Sequence, residues 1–135
     1  MTLRSKAREY ALQMLFQWEM TQQEPWRVES GFWKNVRSEK NTRIFANQLF
    51  EGAVAERDAL DALIEQHATN WRLDRMAAID RNILRLAAHE LRRGDTPFKV
   101  VLDEAVELAK TFSSEDAAPF INGVLDAMHK AVEGK

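Results

Sequence analysis

The chain contains no cysteine, which excludes a disulfide framework and any thiolate-ligated metal centre. Proline and glycine are scarce, three and five in 135 residues, while Ala, Leu, Glu and Arg abound; that mixture favours helix. The glycines are scattered, so no phosphate-cradling loop can form from them. No apolar run approaches the ~20 residues that a membrane-spanning helix needs. The start, Met1-Thr2-Leu3-Arg4-Ser5-Lys6-Ala7-Arg8, is basic and lacks the apolar stretch of a secretory signal. These absences lead to the expectation of a cytoplasmic protein with no membrane association.

A surplus of positive charge is missing too. Lys and Arg number 19 against 21 Asp and Glu, for a net charge of −2. A protein that coats DNA draws its bulk affinity from Lys and Arg. Any nucleic-acid binding here must therefore come from a local patch. One candidate lies at the start, where Arg4, Lys6 and Arg8 precede the first acid, Glu9. Basic charge in a first helical turn opposes the helix dipole, which hints at another purpose. A solvated helix start explains the cluster equally well.

What is present is helical spacing of apolar residues. Ala7, Ala11, Met14, Leu15 and Trp18 place an amphipathic helix at about 5–20. A short segment with Trp26, Val28, Phe32, Trp33 and Val36 follows, and Gly31 weakens its helical reading. Asn41 or Thr42 can cap a long helix to about His67. Asp74 is expected to cap the next, to about Arg93, with Leu73 as a hydrophobic staple. Gly94 and Pro97 end that helix. Val101, Ala105, Leu108, Ala109 and Phe112 mark another. Pro119 opens a last helix to about Val132. No alternating strand pattern appears. The reading is an all-α chain of six or seven helices, with a bridge at 68–72 that divides it into 1–70 and 71–135.

Catalytic groupings are missing. His67, His89 and His129 lie far apart, and His89-Glu90 fails to continue as a zinc-binding H-E-x-x-H because Arg93 stands where the second His belongs. Pairs such as Asp103-Glu104 and Glu115-Asp116 suit helix starts or solvated faces better than a cation site. No enzyme activity, cofactor or metal site is expected. On the first helix, Arg4, Arg8, Leu12 and Phe16 form one i, i+4 row, read as separate from the Ala7-Met14-Trp18 stripe. Guanidiniums neutralise phosphate and stack on bases, and a ring offers a stacking plane. By spacing alone Phe16 fits the core better than an RNA surface. Phe120, after Pro119 at a helix start, poses the same alternative. Gly123 could admit close backbone contact with a helix or ligand.

Four blocks resemble the NusB family. They are Arg4-Ser5-Lys6-Ala7-Arg8-Glu9 with Ala11-Leu12-Gln13 and Leu15-Phe16; Asp80-Arg81-Asn82-Ile83-Leu84-Arg85-Leu86-Ala87 with Glu90-Leu91; the run 97–110; and Phe120-Ile121-Asn122-Gly123-Val124-Leu125-Asp126. They span nearly the whole chain, with 25–40 the weakest part. The resemblance implies a fold of two packed three-helix subdomains. It also implies a transcription antitermination factor that binds boxA RNA of ribosomal RNA transcripts together with the small-subunit ribosomal protein NusE, in the setting of a transcription elongation complex. By position, Arg4, Lys6, Arg8, Phe16 and Phe120 would contact RNA, and Asp80 and Leu84 would face the protein partner. Family members often carry a basic residue where Ser5 stands, so the patch is expected to be weaker here. Three phosphate contacts to a single strand would give a salt slope of about −2 to −3.

Two other readings compete. One is an RNA-docking domain of a ribosomal RNA methyltransferase, although no Gly-rich cofactor-binding unit is present in the chain. The other is self-association: a purely structural helical protein, with Trp26 and Trp33 as candidate contacts of a homodimer, or a self-associating helical RNA-binding module acting in ribosomal RNA processing or ribosome assembly.

Overall fold

The computed structural model describes residues 2–69 and 71–133; Asn70, within the expected bridge, lies outside the described residues. Among the described residues the chain forms seven α-helices, one 3-10 turn and no strand. The all-α reading therefore holds. The helices are α1 (Leu3–Thr21), α2 (Pro25–Asn35), α3 (Lys40–Ala55), α4 (Arg57–His67), α5 (Ala78–Arg93), α6 (Phe98–Phe112) and α7 (Ala117–Glu133). The 3-10 turn, Leu73–Arg75, precedes α5.

Local chemistry explains several boundaries. Thr2 caps α1, its Oγ1 accepting the Ser5 N–H at 3.0 Å, so one otherwise unpaired helix-start donor is satisfied. Proline opens α2, where its missing N–H costs nothing, and Gly31 does not interrupt it. Gly94 takes the left-handed conformation, φ 73°, and its N–H returns to the Glu90 carbonyl at 3.2 Å; this is the C-terminal stop that Gly94 and Pro97 suggest. Gly123 is exposed, and a Cβ there would meet nothing within 4 Å. No close backbone approach explains it.

Two boundaries differ from the sequence reading. The single long helix expected to reach His67 is broken at Glu56, whose backbone (φ −101°, ψ 11°) leaves the helical basin. Its carboxylate is engaged instead by His89 Nδ1 at 2.6 Å and Arg92 Nε at 3.4 Å. Those partners lie more than thirty residues away, beyond the reach of periodicity. Asp74, expected to cap a long helix, accepts a hydrogen bond from Arg72 at 3.2 Å. The helix proper starts at Ala78. Arg81 holds the preceding 3-10 turn by donating to the carbonyls of Leu73 (3.1 Å) and Met76 (2.9 Å).

The chain divides into two compact units, Met1–Ala55 and Glu56–Lys135. The division precedes the expected one near 70 because α4 packs against α5 and α7. The first unit thus holds three helices and the second four, rather than three each. In the first, Ala7, Ala11, Met14 and Leu15 of α1 pack with Ala46, Leu49, Phe50 and Ala53 of α3, all at 0–1% exposure. The alanines let the two backbones approach. In the second, α5 is the central element, with every residue from Asn82 to Glu90 buried.

Candidate nucleic-acid interface

The N-terminal basic residues are presented by α1, and the four-residue spacing sets Arg4 and Arg8 one turn apart. Both guanidiniums lie over one ring: Phe45 of α3 is 4.4 Å from Arg4 Cζ and 5.7 Å from Arg8 Cζ, measured to the ring centroid. Arg4 is exposed, Phe45 half-buried. Arg8 is only 3% exposed, and Leu12, next in the row, 1%. The row is therefore not the separate surface that spacing suggested. It is open at Arg4, closes at Arg8 and Leu12, and reopens in part at the half-buried Phe16. A helix apolar around most of its circumference buries more than one stripe. Arg8 accordingly supports the surface from beneath.

Lys6 is exposed and divided between two neighbours. Its Nζ lies 3.0 Å from Glu9 Oε2 and 5.2 Å from the Tyr10 ring centroid. The Glu9 hydrogen bond, helped by its charge, raises the pKa of the Lys6 ammonium. Glu9 also offsets much of the field that Lys6 would offer a phosphate. Arg4 differs: among the described residues no carboxylate lies against it.

Aromatic platforms recur in this unit. Arg43 lies over Trp33 at 5.3 Å and Arg27 over Trp26 at 4.9 Å. Tyr10, Phe32 and Trp33 meet edge to face, with centroids 4.9 to 5.7 Å apart, and the Trp33 indole N–H donates to Asn47 Oδ1 at 2.8 Å. Trp33 is 8% exposed and so unavailable for self-association, whereas Trp26 is 61% exposed. Nearby, burial pushes the Glu29 carboxyl up to about 8, helped by its hydrogen bond to Glu51 and the charge of that residue.

The second unit carries the other sequence-derived candidates. Phe120 is half-buried near the start of α7 and meets the exposed Trp71 edge to face at 5.9 Å. Both line a cavity of about 330 Å³ together with Arg75, Met76, Asp80 and Asp116. Asp80 Oδ1 is buried and lacks a hydrogen-bond partner among the described residues. Leu84, expected to face a protein partner, is fully buried at 0% exposure. One helical turn after Asp80, it points into the core and offers no surface. Phe120 and Asp80 thus come together in one cavity, as Arg4 and Arg8 come together on Phe45.

Two residues at these places escaped the sequence reading. Phe45 is far from Arg4 in the chain, and its spacing marks only a core position. Trp71 stands in the presumed bridge; a large ring in a polar connection was the available signal. Among the described residues no group of three His, Asp or Glu gathers to hold a metal, and no helix is long and apolar enough to cross a membrane.

These features define a class, the small all-helical binding factors that offer cations and rings on helices. The chain belongs to the NusB family, whose model matches residues 5–130. It is 46% identical over 134 residues to the transcription antitermination protein NusB of Koribacter versatilis (strain Ellin345), covering 98% of this chain and 92% of that protein. It is 48% identical over 124 residues to the NusB protein of Anaeromyxobacter dehalogenans (strain 2CP-1), covering 91% and 87%. Among solved structures, it resembles a complex of antitermination factors NusB and NusE with double-stranded RNA, with TM-score 0.87, 30% identity, and 97% and 98% of the two chains covered. It also resembles the solution structure of NusB from Aquifex aeolicus, with TM-score 0.85, 30% identity, and 99% and 92% covered.

Proposed function

We propose that this chain is a cytoplasmic transcription antitermination factor that binds boxA RNA of ribosomal RNA transcripts jointly with the ribosomal protein NusE, within a transcription elongation complex. It does so by binding, with no catalytic step. The observation that carries this reading is Arg4, an exposed guanidinium held on a ring, with no carboxylate against it among the described residues. A similar structure that contains NusB, NusE and RNA together supports it.

In this reading Arg4 and Lys6 meet phosphates, Phe16 and Phe120 offer ring planes to bases, and Arg8 backs the Phe45 ring from beneath. Asp80 faces the protein partner. Because Asp80 and Phe120 line one cavity, a partner seated on the first would lie beside RNA stacked on the second. That is a physical reason for joint binding. With two exposed cations instead of three, the salt slope of the chain alone falls to about −1.4 for single-stranded RNA. So small a counterion release gives weak binding, and NusE has to contribute further surface.

The test titrates labelled boxA RNA with this chain, with NusE, and with both. Tighter binding by the pair than by either protein is the expected result; equal affinity with and without NusE overturns the reading. A self-associating RNA-binding module is the second reading, favoured by the exposed Trp26. Sizing at several salt concentrations separates the two. A stable dimer with no RNA affinity in the presence of NusE would replace the first reading with a self-associating structural protein.

A further inference from the structure

We propose that Phe45 is a positioning residue of the RNA interface, whose ring fixes the Arg4 guanidinium for a phosphate without neutralising it. The inference rests on the RNA reading given above and adds to it a residue of α3. The basic segment of α1 has no intrinsic reason to hold its side chains still. A free arginine carries about 2 kcal/mol of rotamer entropy, lost when it docks on an anion. A preorganised arginine has already given up part of that freedom.

An arginine at a surface can be held by a carboxylate or by a ring. A carboxylate cancels the charge that the phosphate would meet, as Glu9 does for Lys6 at 3.0 Å. A ring has no net charge. Its quadrupole attracts the cation over its face, and the full positive charge remains directed outward. Phe45 stands 4.4 Å from Arg4 Cζ, within cation–π range, and the buried Arg8 lies 5.7 Å from the same ring. One ring thus gathers two guanidiniums, the outer one accessible and the inner one buried. Phe45 is half-buried, so its position is set by α3 while its face is available to the arginines.

The experiment measures affinity for labelled boxA RNA, with NusE present, for the full chain and for Phe45→Leu, Phe45→Tyr, Arg4→Ala and the Arg4→Ala/Phe45→Leu double variant. Phe45→Leu should weaken binding about three- to tenfold, the range expected for loss of one cation–π contact. Phe45→Tyr keeps the ring and should bind within about twofold of the parent. In the Arg4→Ala background the Leu substitution should add nothing, because the guanidinium it positions is gone. An undiminished Leu effect in the double variant overturns the proposal, since the ring would then act through the fold. So does a normal Phe45→Leu alongside a weakened Arg4→Ala, and in that case the RNA reading survives. If Arg4→Ala binds as well as the parent, the RNA reading of the α1 start fails and takes the positioning role with it. Phe45→Met, which keeps bulk and removes the ring face, repeats the test if the Leu variant melts below the assay temperature.

Discussion

The two units treat their arginines differently. In Met1–Ala55, Arg4, Arg8, Arg27 and Arg43 lie over the rings of Phe45, Trp26 and Trp33. In Glu56–Lys135, Arg57, Arg72, Arg85, Arg92 and Arg93 lie against carboxylates. Composition follows the same division: eight basic and six acidic residues in the first unit, eleven and fifteen in the second. A guanidinium on a carboxylate is electrostatically closed and serves the fold. A guanidinium on a ring is held in place and, where it is exposed as Arg4 is, stays open to an anion. A chain of net charge −2 can still present an exposed guanidinium at Arg4 with no carboxylate against it among the described residues, because most of its acids lie in the second unit.

The strongest test of this contrast is stability. Arg85 is buried, bidentate to Asp61 at 2.7 and 3.0 Å, and bonded to Asn82 Oδ1 at 3.0 Å. Arg85→Ala should cost about 3–5 kcal/mol in urea unfolding, the range for breaking a buried pair and stranding its partner. Arg4→Ala should change stability by less than about 0.5 kcal/mol. Equal costs would erase the distinction between the two kinds of arginine.

Leu84 sharpens the same point for the second unit. Leu84→Ala should destabilise the chain by about 2–5 kcal/mol, as a cavity in a packed core does. Capture by NusE at a temperature where the variant is folded should remain normal. A stable variant that loses NusE would return Leu84 to a partner face.

Titration separates the units next, with opposite signs. The Glu29 carboxyl, at about 8, sits far above its ordinary 4.5. Between those values the folded state binds more protons than the unfolded one, so this contribution is full below about 4.5 and fades as pH rises through 8. Glu29→Gln should reduce the fall in melting temperature between pH 5 and 8.5 by a few degrees, read by circular dichroism. In the second unit the hydrogen bond from His89, aided by its charge and by Arg92, lowers the Glu56 carboxyl. That stabilisation is present above 4.5 and is lost as pH falls through the lowered value. Glu56→Gln should therefore flatten the acid side of the stability profile. Identical profiles for both variants would break the contrast.

The smallest effect distinguishes the two exposed cations of α1. Arg4→Ala should reduce the salt slope of RNA binding by about 0.7, the counterion release of one single-strand phosphate contact. Lys6→Ala should change it less, because Glu9 already screens Lys6. A larger slope change for Lys6 would make Glu9 a bystander.

Much of this was legible in the residues. The apolar spacing of Ala7, Ala11, Met14 and Leu15 located α1, and Gly94 with Pro97 located the end of α5. The four resembling blocks point to the NusB family, to which the chain belongs. The row Arg4-Arg8-Leu12-Phe16 is legible in the spacing but its exposure is not, since spacing assigns a face to a helix and leaves open which faces are covered. Apolar spacing places Leu84 inward, where it lies; the partner face came from the resemblance, and the burial of its helix from Asn82 to Glu90 leaves no surface there. The break at Glu56 carries no local signal, and the partners of its carboxylate, His89 and Arg92, are tertiary.

The amino-acid sequence by itself determined the helical class, the helix termini with local caps, and the cluster of cations at the start, because each depends on contacts a few residues apart. Tertiary structure alone decided which arginine is sealed, which lies on a ring and which on a carboxylate, and where the two units divide. Those outcomes depend on partners such as Phe45 for Arg4 and His89 for Glu56, whose distance along the chain carries no local signal and is closed only by packing.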